Sequence, residues 1–215
     1  MTQAIVVAGT DTNIGKTVFA AALTSALQGS YWKPVQAGLS GETDSQIVAR
    51  LSGTDPDRIL PEVYRLKLAA SPHLAAEREG VVISAERLAL PTVSGPLIIE
   101  GAGGLLVPLN RQLLQIDLFK SWKAPVILCA STRLGTINHT LLSVEALKQR
   151  GIATLGIAFL GDENADSERT IAELGGVRRL GRLPFLSTLD KTSLDAAFAK
   201  AFKIGDVLGV GGMGP

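Results

Sequence analysis

The chain has 215 residues, 46% of them hydrophobic, with 21 Lys plus Arg against 20 Asp plus Glu and a single cysteine. The near-zero net charge excludes a global field that would draw nucleic acid or an anionic membrane, and no apolar run approaches the roughly 20 residues that a spanning helix needs. The lone Cys129 excludes an intrachain disulfide and, inside the apolar run "PVILCA", reads as a small buried hydrophobe.

The length fits one domain, residues 1–215, and a domain of that size buries roughly 70–75% of its unfolded surface. The N-terminus enters an apolar run within a few residues and lacks a charged region followed by a signal core, so a cytoplasmic location is expected. Strands are predicted at about Ala4–Ala8, Tyr31–Pro34, Pro96–Glu100, Pro125–Ala130, Thr154–Leu160 and near Arg179–Leu183. Their near-continuous apolar character is that of strands buried on both faces. Between them the spacing predicts helices over Lys16–Gln28, Asp44–Leu51, His139–Arg150 and Ser167–Leu174, and the stretch Thr192–Lys203 closes the series. Gly151 stands where a C-cap glycine belongs.

This alternation predicts the α/β class: a doubly wound, mostly parallel sheet with helices on both faces. The stretch between the second and third main strands holds two helical-looking pieces broken by Pro61, Pro72 and Pro91, an excursion from the main sheet. The basic "RRLGR" at Arg178–Arg182 reads as a solvated surface, and the Gly-rich tail "GVGGMGP" as loosely ordered.

Ligands of open α/β sheets bind beyond the carboxyl ends of the strands. After the first predicted strand stands "GTDTNIGKT", Gly9 to Thr17. A P-loop has glycine, four residues, then Gly-Lys-Ser/Thr; here Thr10 occupies the glycine position and Gly9 lies one earlier. Backbone N–H groups ahead of a helix, its positive dipole end and Lys16 make an anion site, with Thr17 offering a hydroxyl to Mg²⁺. Asn13, Ile14, Gly15, Lys16, Thr17 and Val18 are therefore the candidate nucleotide-binding residues of this segment.

After the third strand, "LIIEGAGG" places Glu100 where it could hold Mg²⁺, and Gly101, Ala102 and Gly103 where backbone could pass close to a nucleotide. Lys33, at the end of the second strand, is either a solvated charge or the holder of an anionic substrate group. Asp44 is either a helix cap or a further carboxylate for the metal.

In order and spacing these motifs resemble the ATP-dependent dethiobiotin synthetase family. The matching segments are "GTDTNIGKT", "KPVQAG", Thr43-Asp44, "SPHLAAEREG", "IIEGAGGLLVPL", "LGTINHTLL" and "LGRLPFL", spanning about Ala4 to Leu186. The resemblance implies a P-loop NTPase-like fold and an ATP-dependent cyclo-ligase. One amine of 7,8-diaminopelargonate takes up CO₂, the carbamate attacks the γ-phosphate of MgATP, and the second amine closes the cyclic urea, releasing ADP and phosphate.

It further implies that Lys16 stabilises the transferring phosphate, that Lys33 stabilises the carbamate, and that Thr17, Asp44 and Glu100 bind Mg²⁺. Pro184, Phe185 and Leu186 would join the nucleotide site. Thr12, Lys33, Ala37, Gly103, Gly135, Thr136 and Asn138 would line the substrate site, the last three contributed across a homodimer. Asn138 also reads as a helix N-cap, and His73 and His139 as structural.

Three positions depart from the family pattern. Asn13 stands where some members carry glutamate, and Ala37 where a hydroxyl residue is common. Leu160 and Gly161 follow the strand where an adenine-reading asparagine is often found, which implies that other nucleoside triphosphates are accepted nearly as well as ATP. Two other classes compete: a P-loop switch of the partition type, which usually carries a second early lysine, and a metabolite kinase with an arginine-rich lid.

Overall fold

The computed structural model describes residues 3–208; the tail Gly209–Pro215 lies outside the described residues. Strand β1 (Gln3–Gly9) leads through the glycine-containing loop into α1 (Lys16–Leu27). β2 (Ser30–Trp32) follows and stops at Lys33-Pro34, where proline forces an extended exit. The chain resumes as β3 (Val35–Ala37), which has left the main sheet. The single strand expected at Tyr31–Pro34 is thus two short ones with Lys33 in the break.

After α2 (Asp44–Ser52) come β4 (Ile59–Leu60), β5 (Tyr64–Leu66) and α3 (Pro72–Arg78). β4 pairs with β2 at the edge of the main sheet, and β5 pairs with β3. Periodicity could not reveal strands of two and three residues. β6 (Pro96–Gly104) runs four residues past the expected end at Glu100, so the glycines continue the strand, with Gly9 facing Gly104. α4 (Gln115–Trp122) is a helix that the sequence pattern did not predict.

The second half is more regular: β7 (Val126–Ser131), α5 (Thr136–Gln149), β8 (Thr154–Leu160), α6 (Ala165–Gly175), β9 (Arg179–Leu183), α7 (Lys191–Ala201) and α8 (Ile204–Val207). α5 begins three residues before the expected His139, capped by Gly135 at φ 94°, so Asn138 lies inside the first turn and is not the N-cap. Gly151, at φ 66°, follows the C-cap as expected.

Seven strands form one sheet in the order β4–β2–β6–β1–β7–β8–β9, and its neighbours are parallel. Side chains alternate across the strands. Ile5 and Val7 of β1 pack with Phe19, Leu23 and the helical face of α7, whereas Val6 and Ala8 pack with Phe119, Val144 and Leu147 on the other face. Phe19 is fully buried, with ring centroids 5.9 Å from Phe198 and 5.3 Å from Phe202; truncating such a residue to alanine costs about 3–5 kcal/mol. Cys129 is buried in this core, and burial pushes its thiol well above the ordinary range. Among the described residues no helix is long and apolar enough to cross a membrane.

Candidate active site

The carboxyl ends of β1, β2 and β6 converge on the start of α1. That helix opens on Gly15 in the left-handed region (φ 98°) with no side-chain cap. Its first N–H groups are therefore left for a ligand. Asn13 is also left-handed, at φ 56°. Asparagine is the ordinary non-glycine choice there, which explains this residue by backbone conformation and without a carboxylate.

Lys16 turns back along its own loop, is 6% exposed, and donates from Nζ to the Asp11 carbonyl at 2.7 Å. A Cβ on Gly9 would stand 2.8 Å from Lys16 Cδ and 2.9 Å from Nζ. Gly9 is thus required by the lysine that crosses it, not by a positive φ. Thr10 extends the strand, donating from its N–H to the Cys129 carbonyl at 3.0 Å. The shifted glycine of "GTDTNIGKT" marks the path of Lys16.

Thr17, Asp44, Glu100 and Lys33 meet beside it. Thr17 Oγ1 lies 3.0 Å from Asp44 Oδ1 and 2.9 Å from Glu100 Oε1. A hydroxyl has one proton to donate, so two carboxylates at this distance need a cation as well. Lys33 Nζ supplies one, 2.7 Å from Asp44 Oδ2, 3.0 Å from Glu100 Oε1 and 3.2 Å from the Gly101 carbonyl. Lys33 is not a solvated charge. Nor is Asp44 the helix cap: Thr43 caps α2 through a capping box with Gln46, leaving the Asp44 carboxylate for the site.

Burial opposes the charge on Lys33, but Glu100 and Asp44 outweigh it and hold the ammonium above its ordinary value. Burial also opposes the Asp44 carboxylate, and Lys33 together with the Thr17 hydroxyl brings it below the usual range. For Lys16 the Glu100 and Asp44 charges compensate too little. Burial, followed by the neighbouring Lys33 charge, lowers it.

Two supports were invisible in the motifs. Tyr31, fully buried on β2, donates from its hydroxyl to Glu100 Oε2 at 2.8 Å, leaving Oε1 to face Thr17 and Lys33. Burial, then the Glu100 charge, pushes its phenol well above the ordinary range. Gln115, 4% exposed at the start of α4, accepts from the Ala102 N–H and donates to the Gly104 carbonyl at 3.2 Å. A Cβ on Gly101 would stand 2.8 Å from Gln115 Nε2. Glycine at 101 therefore lets the amide brace the strand end.

Two cavities flank this centre. One, of about 430 Å³, lies between the P-loop and the ends of β8 and β9 and is lined by Asn13, Gly15, Val18, Leu160, Gly161, Pro184, Phe185 and Leu186, among others. Ile14 also lines it. The other, of about 500 Å³, is bounded by Thr10, Thr12, the 104–108 segment, His139 and Leu142. His139, exposed in the first turn of α5, lines both.

The expected substrate residues are only partly gathered. Thr12 borders both cavities, and its hydroxyl would lie 3.2 Å from a Cβ on Gly103. Ala37 sits half-buried in β3. Thr136 is buried, with its hydroxyl donating to the Ser131 carbonyl. Gly135 and Asn138 are exposed and line neither cavity. His73 pairs through Nδ1 with Ser71 Oγ at 2.9 Å, in keeping with a structural role.

The AAA domain family matches residues 3–193. The chain is 64% identical over 209 residues to the ATP-dependent dethiobiotin synthetase BioD of Rhodopseudomonas palustris strain TIE-1, covering 97% of this chain and 99% of that protein. It is 61% identical over 208 residues to the corresponding protein of Nitrobacter hamburgensis, covering 97% and 98%. Among solved structures it resembles the septum site-determining protein MinD of Pyrococcus horikoshii in complex with Mg-ADP, with a TM-score of 0.55 and 14% identity over 99% of this chain and 100% of that one. That likeness shows the P-loop NTPase fold and nothing of function, whereas the sequence identity follows the synthetases over nearly their whole length. By that identity the chain belongs to the ATP-dependent dethiobiotin synthetase family.

Proposed function

We propose that this chain forms the cyclic urea of dethiobiotin from 7,8-diaminopelargonate, CO₂ and ATP. The observation that carries the reading is the buried Lys16, Lys33 and Glu100 gathered with the half-buried Asp44 at the mouth of α1. Phosphoryl transfer asks for positioning and charge neutralisation more than for a protein nucleophile, and this set offers both.

The α1 N-terminus and Lys16 hold the β- and γ-phosphates. Lys33 releases its hold on the two carboxylates and neutralises the carbamate formed when one amine adds to CO₂ and loses a proton. A carbamate oxygen then bonds to the γ-phosphorus as the bond to ADP breaks. The second amine attacks the carbonyl of the resulting anhydride, and phosphate leaves as the ring closes.

Thr17, Asp44 and Glu100 would hold Mg²⁺: all three present hard oxygens, and an oxygen of each carboxylate lies within 3.0 Å of the Thr17 hydroxyl. When bound, Mg²⁺ neutralises charge on the β- and γ-phosphates. The cavity under Pro184 and Phe185 takes the base. Its lining has no side-chain amide besides Asn13, which supports acceptance of GTP and CTP alongside ATP. The exposed Gly135 and Asn138, beside Leu134 and Leu142 at 106% and 57% exposure, suit a homodimer in which they complete the partner's substrate site.

The test is ADP release in the presence of diamine, bicarbonate and Mg²⁺, omitting each in turn. Release that needs all three, with a cyclic urea as product, supports the reading. Release that responds to a protein partner or DNA instead supports the switch, and a phosphorylated metabolite supports the kinase.

A further inference from the structure

The carboxylate oxygens of Asp44 and Glu100 are already spoken for by donors of the chain itself. Tyr31 holds Glu100 Oε2 at 2.8 Å, and the Thr17 hydroxyl lies 3.0 Å from Asp44 Oδ1 and 2.9 Å from Glu100 Oε1. Lys33 Nζ stands 2.7 Å from Asp44 Oδ2 and 3.0 Å from the same Glu100 Oε1 that faces Thr17. It also donates to the Gly101 carbonyl at 3.2 Å. An ammonium has three protons to give, and all three are placed.

The backbone sets up this clamp. β2 ends at Trp32, Pro34 forces an extended exit, and Lys33 falls in the break with its side chain 5% exposed. The Glu100 side chain is 1% exposed. Charges buried to this degree are tolerable only when paired, so Lys33 is the internal counter-ion of the two carboxylates. The clamp opens on one side only: the Asp44 side chain is 26% exposed.

The same two carboxylates, with Thr17, are the ones assigned above to Mg²⁺. That ion sits about 2.0–2.1 Å from its oxygens and demands near-ideal octahedral geometry. Glu100 Oε1 would then have to serve the ion and the ammonium at once. Repulsion between two cations a few ångströms apart grows as water is excluded, and here it is largely excluded.

We propose that Lys33 and the divalent cation are alternative occupants of the Asp44–Glu100 pair, so that metal binding frees the ammonium for the anionic group of the substrate. This inference rests on the proposed assignment of Thr17, Asp44 and Glu100 to the metal. Linkage makes the effect reciprocal: an anion that draws Lys33 away tightens metal binding by the same factor. Without metal, Lys33 stays clamped and the carbamate finds no counter-charge there.

The experiment titrates Mn²⁺ without nucleotide and reads the free ion by electron paramagnetic resonance, for wild type, Lys33→Met and Lys33→Met with Asp44→Asn. Lys33→Met keeps the bulk of the side chain and removes its charge, and is expected to bind Mn²⁺ at least ten-fold tighter than wild type. An affinity no higher than wild type shows that the two cations do not exclude each other and overturns the proposal. Adding Asp44→Asn should abolish the gain. If the gain persists, the metal is held elsewhere, and the assignment beneath the proposal fails as well.

Lys33→Met leaves two carboxylates without their counter-ion, so a measurement on the wild type stands beside it. With ADP present, reductive methylation of Lys33 is followed by mass spectrometry in Mg²⁺ and in EDTA. Lys33 is expected to react at least five-fold faster in Mg²⁺, while the exposed Lys123 is unchanged. An equal rate for Lys33 in the two conditions overturns the proposal.

Discussion

The two ends of the proposed nucleotide crevice are built on opposite principles. At the β1–β2–β6 end, four charged side chains, Lys16, Lys33, Asp44 and Glu100, are packed against one another, three of them under 7% exposed. At the β8–β9 end, the surface is Leu160, Gly161, Pro184 and Phe185, and the Glu168–Arg182 pair lines a separate pocket. Charge developing in a transition state needs preorganised charges aimed at it, so the reacting end must use side chains of fixed identity. A base that only has to be held can be met by shape and backbone. Selection should therefore weigh differently on the two ends, and substitutions can separate them.

The sharpest break is expected at Lys33. Lys33→Ala should lower kcat roughly 10²- to 10³-fold, the range for loss of a transition-state charge contact, while nucleotide affinity changes far less. Lys16→Ala should damage both. Steady-state kinetics with nucleotide titrations separate these, and near-normal turnover in Lys33→Ala would remove the carbamate-stabilising role. Next comes Gly9→Ala, whose methyl group would displace the Lys16 side chain. A misplacement of about 1 Å can cost about 10²-fold, so turnover should fall by about that factor with the circular dichroism spectrum unchanged. Normal activity would show that Lys16 is free to take another path.

Tyr31→Phe tests whether the reacting end depends on buried hydrogen bonding as well as charge. It leaves a Glu100 oxygen unpaired in the core, so stability should fall by about 1–3 kcal/mol, read from denaturant midpoints, and the Mg²⁺ concentration for half-maximal activity should rise. A stability unchanged within error would mean that water replaces the phenol. The smallest effect belongs to the base end: ATP, GTP and CTP should differ by less than ten-fold in kcat/KM, under about 1.4 kcal/mol. A larger preference for ATP would show a side-chain reader in the cavity and dissolve the contrast.

Much of this was legible in the residues. The apolar runs at Ala4–Ala8 and Thr154–Leu160 are long enough that burial on both faces dictates strands, and "NIGKT" marks the loop-to-helix turn at which α1 opens without a side-chain cap. The misreadings share a cause. β4 and β5 are too short for any period to register, and α4 carries Gln115, whose importance lies in a contact with Ala102 and Gly104 across the fold. Arg182 looked like surface charge because its partner, Glu168, arrives from another helix.

By itself, then, the sequence determined the alternation of strand and helix, the phosphate loop and the identity of the four charged groups, because periodicity and short motifs are local. Only the tertiary structure decided what those groups face. It put Lys33 in the break between β2 and β3 and between two carboxylates, assigned Gly9 to the passage of Lys16, and placed Tyr31 behind Glu100. Each of these is a contact between residues far apart in the chain or in steric competition, and such contacts exist only once the sheet has brought the strand ends together.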